Sequence, residues 1–241
     1  RGVWFKSSIN LDSEGKLTEI KQFEKGVLKN IYGEIIDLDK SDSDAEAIEI
    51  DEKGNFIISF ERNHRVLKYN NLNDVPTVLI PPNDFGNLPF NGGIESFVPI
   101  SENDLFLITE DKINRNGNID AFIYKDNKLI GLELNKKGIF KPTDLSMLPN
   151  GDLLLLERSF TPIKGPAARI SLIKKNTIIP GEKLNPLELA IIKPPLIVDN
   201  FEGIAVIDVP IGGHLIFIIS DDNFKSVQRT LLMQFYWNGD Y

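Results

Sequence analysis

The chain has 241 residues, 35 acidic against 27 basic side chains, a formal net charge of −8, and an apolar fraction of 41%. That composition excludes a disordered acidic tail and allows one large domain or two small ones; the reading adopted is one domain over 1–241. With no cysteine and two histidines, disulfides, thiolate metal sites, cysteine nucleophiles and three-histidine metal centres are excluded.

No basic run exceeds a pair, so nucleic acid is not an expected partner. The longest apolar stretches, such as Leu153 to Leu156 and Leu215 to Ile219, are strand-sized, and no membrane span is expected. The chain opens at Arg1 without an initiator Met or apolar leader, which reads as a processed form or a fragment.

Residues 1 to 40 read as the back half of an incomplete blade. Arg1-Gly2-Val3-Trp4-Phe5 stands where later units carry a loop and third strand, and the front hairpin is missing. The first full unit has strands at Ala45 to Ile50, Phe56 to Phe60 and Arg65 to Tyr69, with a turn at Glu52 to Asn55. An interrupted connection, Val75 to Pro89, leads to the second unit: Gly93 to Val98, turn Ser101 to Asp104, Leu105 to Thr109 and Ala121 to Tyr124. The third runs Pro142 to Met147, turn Pro149 to Asp152, Leu153 to Leu156 and Ala168 to Ile173. A connection over Asn176 to Pro195 follows, in which Leu187 to Ile192 is the one weak helical candidate. The fourth has Phe201 to Val206, turn Pro210 to Gly213, Ile216 to Ser220 and Thr230 to Tyr236.

The carboxylates opening these units, Glu46, Glu95, Asp144 and Glu202, lie 49, 49 and 58 residues apart, near the period of propeller blades. Continuously apolar second strands require both faces to be covered, as stacked blades provide. Pro142 suits an innermost edge strand, where a backbone donor can stay unpaired. The expected fold is an all-β propeller of five or six four-stranded blades, the N-terminal one incomplete; the connections at Val75 to Pro89 and Asn176 to Pro195 could each hide an extra strand pair.

A hairpin returns to the end where it began, so the opening acid of each unit shares a rim with the acid closing its second strand. This pairs Glu46 with Glu61, Glu95 with Glu110, Asp144 with Glu157, and Glu202 with Asp221. Converging carboxylates repel, and a cation, a retained proton or interleaved arginines must compensate. Oxygen-only donors select Ca2+ before Mg2+ over zinc or copper. Arg62, Arg65, Arg115, Arg158, Arg169 and Arg229 recur in the following loops, where they could grip a phosphate or neutralise the acids; both readings stay open. His64 lies at the same rim as a candidate general acid, with a plain loop role equally open. No nucleophile elbow or Walker loop occurs.

The phrases Asp44-Ala45-Glu46-Ala47, Ser59-Phe60-Glu61-Arg62-Asn63-His64-Arg65, Leu156-Glu157-Arg158-Ser159-Phe160, Asn200-Phe201-Glu202-Gly203-Ile204-Ala205 and Ser220-Asp221-Asp222-Asn223-Phe224 resemble the phytase-like family, also described as the esterase-like domain of phytase. The resemblance covers nearly the whole chain. It implies an acid-rich β-propeller, periplasmic or secreted in bacteria, with phosphoesterase or esterase activity.

The resulting expectation is a metal-dependent phosphoesterase, monomeric, acting on a small phosphorylated or ester substrate. Glu61, Glu157, Asp221 and His64 would be catalytic, and Arg62, Arg65, Arg158, Arg169 and Arg229 would bind substrate. Glu46, Glu95, Glu110, Asp144, Glu202 and Asp222 would hold metal, Ca2+ or Mg2+. The alternatives are a non-catalytic propeller binding an ion, a phosphorylated ligand or a protein, and a metal-independent carboxylic esterase using His64.

Overall fold

Four tight turns of the chain share one chemistry. In Asp12–Lys16, Asn30–Glu34, Asp51–Asn55 and Asn114–Asn118, the Oδ1 of the first residue accepts the N–H groups two and four residues on, at 2.9–3.1 Å. The fourth position of each is a glycine at φ 78–83°, where a Cβ would be strained. These turns reverse the chain within five residues and set the strands that follow in antiparallel register.

The computed structural model describes residues 2–36, 40–209 and 212–240. Strands β1 (Val3–Leu11) and β2 (Leu17–Val27) pair only with each other. The first blade is β3 (Ala45–Ile50), β4 (Phe56–Phe60), β5 (Arg65–Tyr69) and β6 (Thr77–Ile80). The second is β7 (Ile94–Pro99), β8 (Leu105–Ile113), β9 (Ile119–Lys125) and β10 (Lys128–Leu134). The third begins with β11 (Lys141–Met147), β12 (Leu153–Thr161) and β13 (Gly165–Ile173). The chain then adds β14 (Lys183–Leu184) to the outside of the second blade, parallel to β10, and returns as β15 (Leu187–Ile192) to complete the third. The fourth blade has β16 (Phe201–Asp208), β17 (His214–Ser220) and β18 (Leu232–Trp237).

Strands β3, β7, β11 and β16 are each the edge of their own sheet and adjoin one another in chain order, forming the inner wall of a propeller-like ring. Alternation along the second strands shows why they are apolar throughout. On β12, Leu153 and Leu155 pack against the second blade while Leu154 and Leu156 pack against the fourth. On β8, Leu105 and Leu107 face the first blade, and Phe106 and Ile108 the third. Each inter-blade layer is thus built from both neighbours, the arrangement that removes such strands from water on both faces.

The propeller class holds, but the ring has four blades among the described residues rather than five or six. The two connections that could have hidden extra hairpins instead supply outer strands of existing blades: Val75 to Pro89 contributes β6, and Asn176 to Pro195 contributes β14 and β15. Leu187 to Ile192 is therefore strand, not helix, because the exposed outer edge of β13 offers backbone partners that a six-residue helix lacks. Four strands per blade is also not uniform, with five in the second sheet and three in the fourth.

Residues 2–36 do not form the rear of another blade. Their hairpin spans between the first and fourth: Leu28, Ile36 and Trp4 pack against Phe60 and Tyr69, while at the far tip Gln234 bonds to Leu17 and Gly15. Arg1 and the Pro210-Ile211 part of the fourth predicted turn lie outside the described residues. No helix among those described is long and apolar enough to cross a membrane.

Candidate functional site

Every inner strand has a register irregularity at the same place. The shifts fall between Ala45 and Ile48, Ile94 and Ser96, Pro142 and Asp144, and Phe201 and Gly203, so Glu46, Glu95 and Glu202 sit inside the bulges and Asp144 closes one. A bulge re-aims the side chain it carries. The extra residue in β3 also explains why Glu46 and Glu49, three apart and opposed on a regular strand, both act among the channel acids: Glu46 feels the charges of Glu202 and Glu110, and the charge of Glu49 is felt by Asp144.

Beyond the bulges the hairpins close with a repeated backbone bond, Glu61 to Asp44 at 2.8 Å, Glu110 to Gly93 at 3.0 Å and Asp221 to Asn200 at 3.0 Å. The expected pairs Glu46 with Glu61, Glu95 with Glu110 and Glu202 with Asp221 are thereby brought together, whereas Glu157 of the remaining pair turns away to Arg169. At the first blade, Asp44, Glu46 and Glu61 each present a carboxylate oxygen within 4.8 Å of the others, and no other group of three among the described residues does so. Glu61 is buried, its Oε1 accepting N–H bonds from Gly92 and, at 3.0 Å, Gly93. Those two amides fix the carboxylate beside Asp44 and Glu46. Asp44 Oδ2 lies 3.0 Å from Arg62 Nε, a charge contact whose N–H is not aligned for a hydrogen bond.

Two ways of relieving the repulsion operate, retained protons and an interleaved arginine. Burial pushes the Glu46 carboxyl up to about 8, with the charges of Glu61 and Asp44 adding. Glu46 is open to channel water yet crowded by protein on most sides. Burial alone takes Glu49 up to about 8, and it raises Asp144 and Glu95 well above the usual carboxylate range, Glu110 adding to the effect at Glu95. For Glu202, burial outweighs Arg158 and Asn200 and leaves it at about 7. With no ion beside them, these groups hold their protons to higher pH than free carboxylates do.

Arg158 supplies the interleaved cation. It reaches Glu110 at 3.2 Å, Asn200 Oδ1 at 3.1 Å and, as a charge contact, Glu202 at 3.1 Å. Asn200 in turn donates to Glu202 at 2.5 Å. Lys141 lies 2.8 Å from Asp111 and 3.7 Å from Glu110. This group opens onto a cleft of about 680 Å3 between the third and fourth blades, whose cations are Lys141, Arg158, Lys225 and Arg229. Glu110 and Asp199 are its acids. Carboxylates with displaced protonation therefore adjoin a cleft suited to an anion.

Several expected site residues are engaged elsewhere. Glu157 and Arg169 face each other across β12 and β13 in a buried bidentate pair at 2.7 and 2.6 Å, beneath Phe140 and with Ser171 donating at 3.2 Å. Arg65 donates to the carbonyls of Asn63 and Asp42 and stacks on Phe60 at 4.2 Å. His64 holds the Pro89 carbonyl at 2.8 Å through Nε2, which must carry the hydrogen, while Nδ1 is buried against Gly93 without a partner. Asp144 accepts from Ile204 and Leu145, and Asp222 from Phe224 and Thr230, ordering their segments. Asp221 accepts from Asn223 N at the exposed rim. Arg229 flanks Asp199 at 3.5 Å and lines the cleft. The sequence reading missed Asp44, Glu49, Lys141 and Asn200 as site residues; the first three stand just outside the repeated acid positions, and Asn200 precedes one.

A family model described as phytase-like, esterase-like activity of phytase, matches residues 1–224. No curated protein matches the chain. Among solved structures, an endo-arabinase from Bacteroides thetaiotaomicron aligns at TM-score 0.53 and 14% identity, over 90% of this chain and 83% of that one, which supports the fold alone. A protein of unknown function from Dyadobacter fermentans aligns at TM-score 0.46 and 8% identity, over 88% and 68%. The intramolecular trans-sialidase of Ruminococcus gnavus aligns at 0.41 and 11%, over 98% and 58%. With its acid-lined propeller and a match across nearly its whole length, the chain belongs to the phytase-like family.

Proposed function

We propose that this protein hydrolyses phosphoric esters at the channel rim, with Ca2+, or Mg2+ in its place, held by Asp44, Glu46 and Glu61. The observation carrying this reading is a group of three mutually close carboxylates joined through Glu110, whose charge reaches Glu46, to a cleft lined by Glu110, Lys141, Arg158, Lys225 and Arg229. The donors are all oxygen, as a hard divalent cation requires. When bound, such an ion supplies charge neutralisation at the ester oxygens and acidifies water.

The chain's own groups do the remainder. Arg158, held in place by Glu110, Asn200 and Glu202, orients the ester anion. Asp221, a rim carboxylate whose charge Glu202 senses, takes the proton of the attacking water. Glu202, at about 7, is protonated in a large share of molecules at neutral pH and gives its proton to the leaving alcohol as the phosphorus–oxygen bond breaks.

Phosphate release from p-nitrophenyl phosphate tests this. EDTA should abolish it, Ca2+ should restore it, and Glu61→Gln should lower it by about a hundredfold or more. Turnover indifferent to EDTA removes the metal role. Thermal stabilisation by Ca2+ without any turnover replaces catalysis by ion or ligand binding.

A further inference from the structure

The anion-binding cleft has an apolar annex. A second cavity of about 440 Å3 lies between the β12–β13 hairpin and the end of β15. Ile139 and Ser159 line both cavities, so the two adjoin along that wall. The annex is walled by Phe140, Ala167, Ile191 and Pro194, with Lys164 and Lys193 at its margin. The main cleft itself also carries the apolar residues Phe160, Val198 and Val227. A cationic compartment thus leads into an apolar one whose volume falls in the usual range for small-molecule sites.

The charge count points the same way. Of the cleft's four cations, Arg158 is already paired with Glu110 and Glu202, Lys141 with Asp111 and Glu110, and Arg229 with Asp199. The adjoining rim is acidic. A polyphosphate would face those carboxylates with too few free cations to balance it, whereas one phosphoryl group meets a matched site. Apolar surface next to it gains from burying a carbon chain or ring.

We infer that the preferred ligand is an ester carrying a single phosphoryl group and an apolar alkyl or aryl alcohol portion, the phosphoryl beside Arg158 and the apolar portion in the annex. This rests on the phosphoester reading of the cleft and deepens it. A buried methylene gains roughly fourfold in affinity, so a chain of eight carbons, even half buried, should bind far more tightly than one carbon.

Calorimetric titration of the full chain with methyl-, hexyl- and octylphosphonate reads this without turnover. Affinity should rise along the series, by at least about thirtyfold from methyl to octyl. Ala167→Trp, which fills the annex, should erase the gain; Thr161→Trp, at its more exposed end, should do so if the first variant fails to fold. Equal affinities, no binding by any member, or a gain that survives in the folded variant overturns the inference. A parallel phosphate-release assay separates the two readings. Chain-dependent binding with no release from octyl phosphate, methyl phosphate or inositol hexakisphosphate refutes hydrolysis and keeps the inferred ligand. Faster release from inositol hexakisphosphate than from octyl phosphate refutes the inferred ligand and keeps hydrolysis.

Discussion

Replacing Arg169 with Met would leave the Glu157 carboxylate in a site 4% exposed with no cation against it. The guanidinium supplies two hydrogen bonds, at 2.7 and 2.6 Å, and Ser171 is the other side-chain donor, at 3.2 Å. Removing one partner of a buried pair costs about 3–5 kcal/mol, because the remaining charge keeps its desolvation penalty and loses its compensation. Losing the stack on Phe140 at 4.4 Å adds about 0.5–2 kcal/mol. In a chain of this size each kcal/mol moves the melting temperature by roughly 2–4 °C, so Arg169→Met should melt on the order of 10–15 °C lower. The double variant Glu157→Leu with Arg169→Met, which replaces the pair by apolar groups of similar size, should recover most of that loss. Urea unfolding of both single variants and the double gives the coupling directly. Well below its melting temperature, Arg169→Met should retain phosphate release. Destabilisation under about 1 kcal/mol together with a collapse of activity would refute the structural assignment and return the pair to the reaction.

Two further outcomes follow from the site. Burial holds Glu49 up to about 8 against 4.5 in the unfolded chain, so the folded state keeps a proton the unfolded state loses. Its contribution to stability is therefore full below about pH 4.5 and disappears as pH rises through about 8. In EDTA, the urea midpoint should decline more steeply between pH 5 and 8 for the parent than for Glu49→Gln, and parallel slopes would contradict this. At Gly93, an added Cβ would strike the His64 ring and displace the amide that holds Glu61. Gly93→Ala should cost about 1–3 kcal/mol and weaken Ca2+ binding by calorimetry, and unchanged affinity would show that Glu61 is positioned independently.

Strand polarity and the acid spacing were readable because each has a local cause. A second strand such as Leu153–Leu156 is apolar at every position because blades cover both its faces, and that pattern is visible without knowing which blades they are. Likewise Asp51-to-Asn55 turns wherever it occurs, since its Asx bonds and Gly54 lie within five residues. Periodicity then places Glu46, Glu95, Asp144 and Glu202 at one rim, and the inner-strand bulges do align there.

The number of blades was not readable in that way. Whether Leu187–Ile192 begins a new hairpin or completes an old one depends on the open edge of β13, a partner distant in space and invisible in the six residues themselves. The same limit applies to charge. Arg158 and Arg169 occupy equivalent-looking positions near acids, yet Arg169 is sealed against Glu157 under Phe140 while Arg158 lines an open cleft. Local sequence dictates which residues carry charge and which strand ends they occupy. Only packing decides which charges are neutralised inside the protein and which remain available to a ligand, because desolvation depends on every neighbour at once.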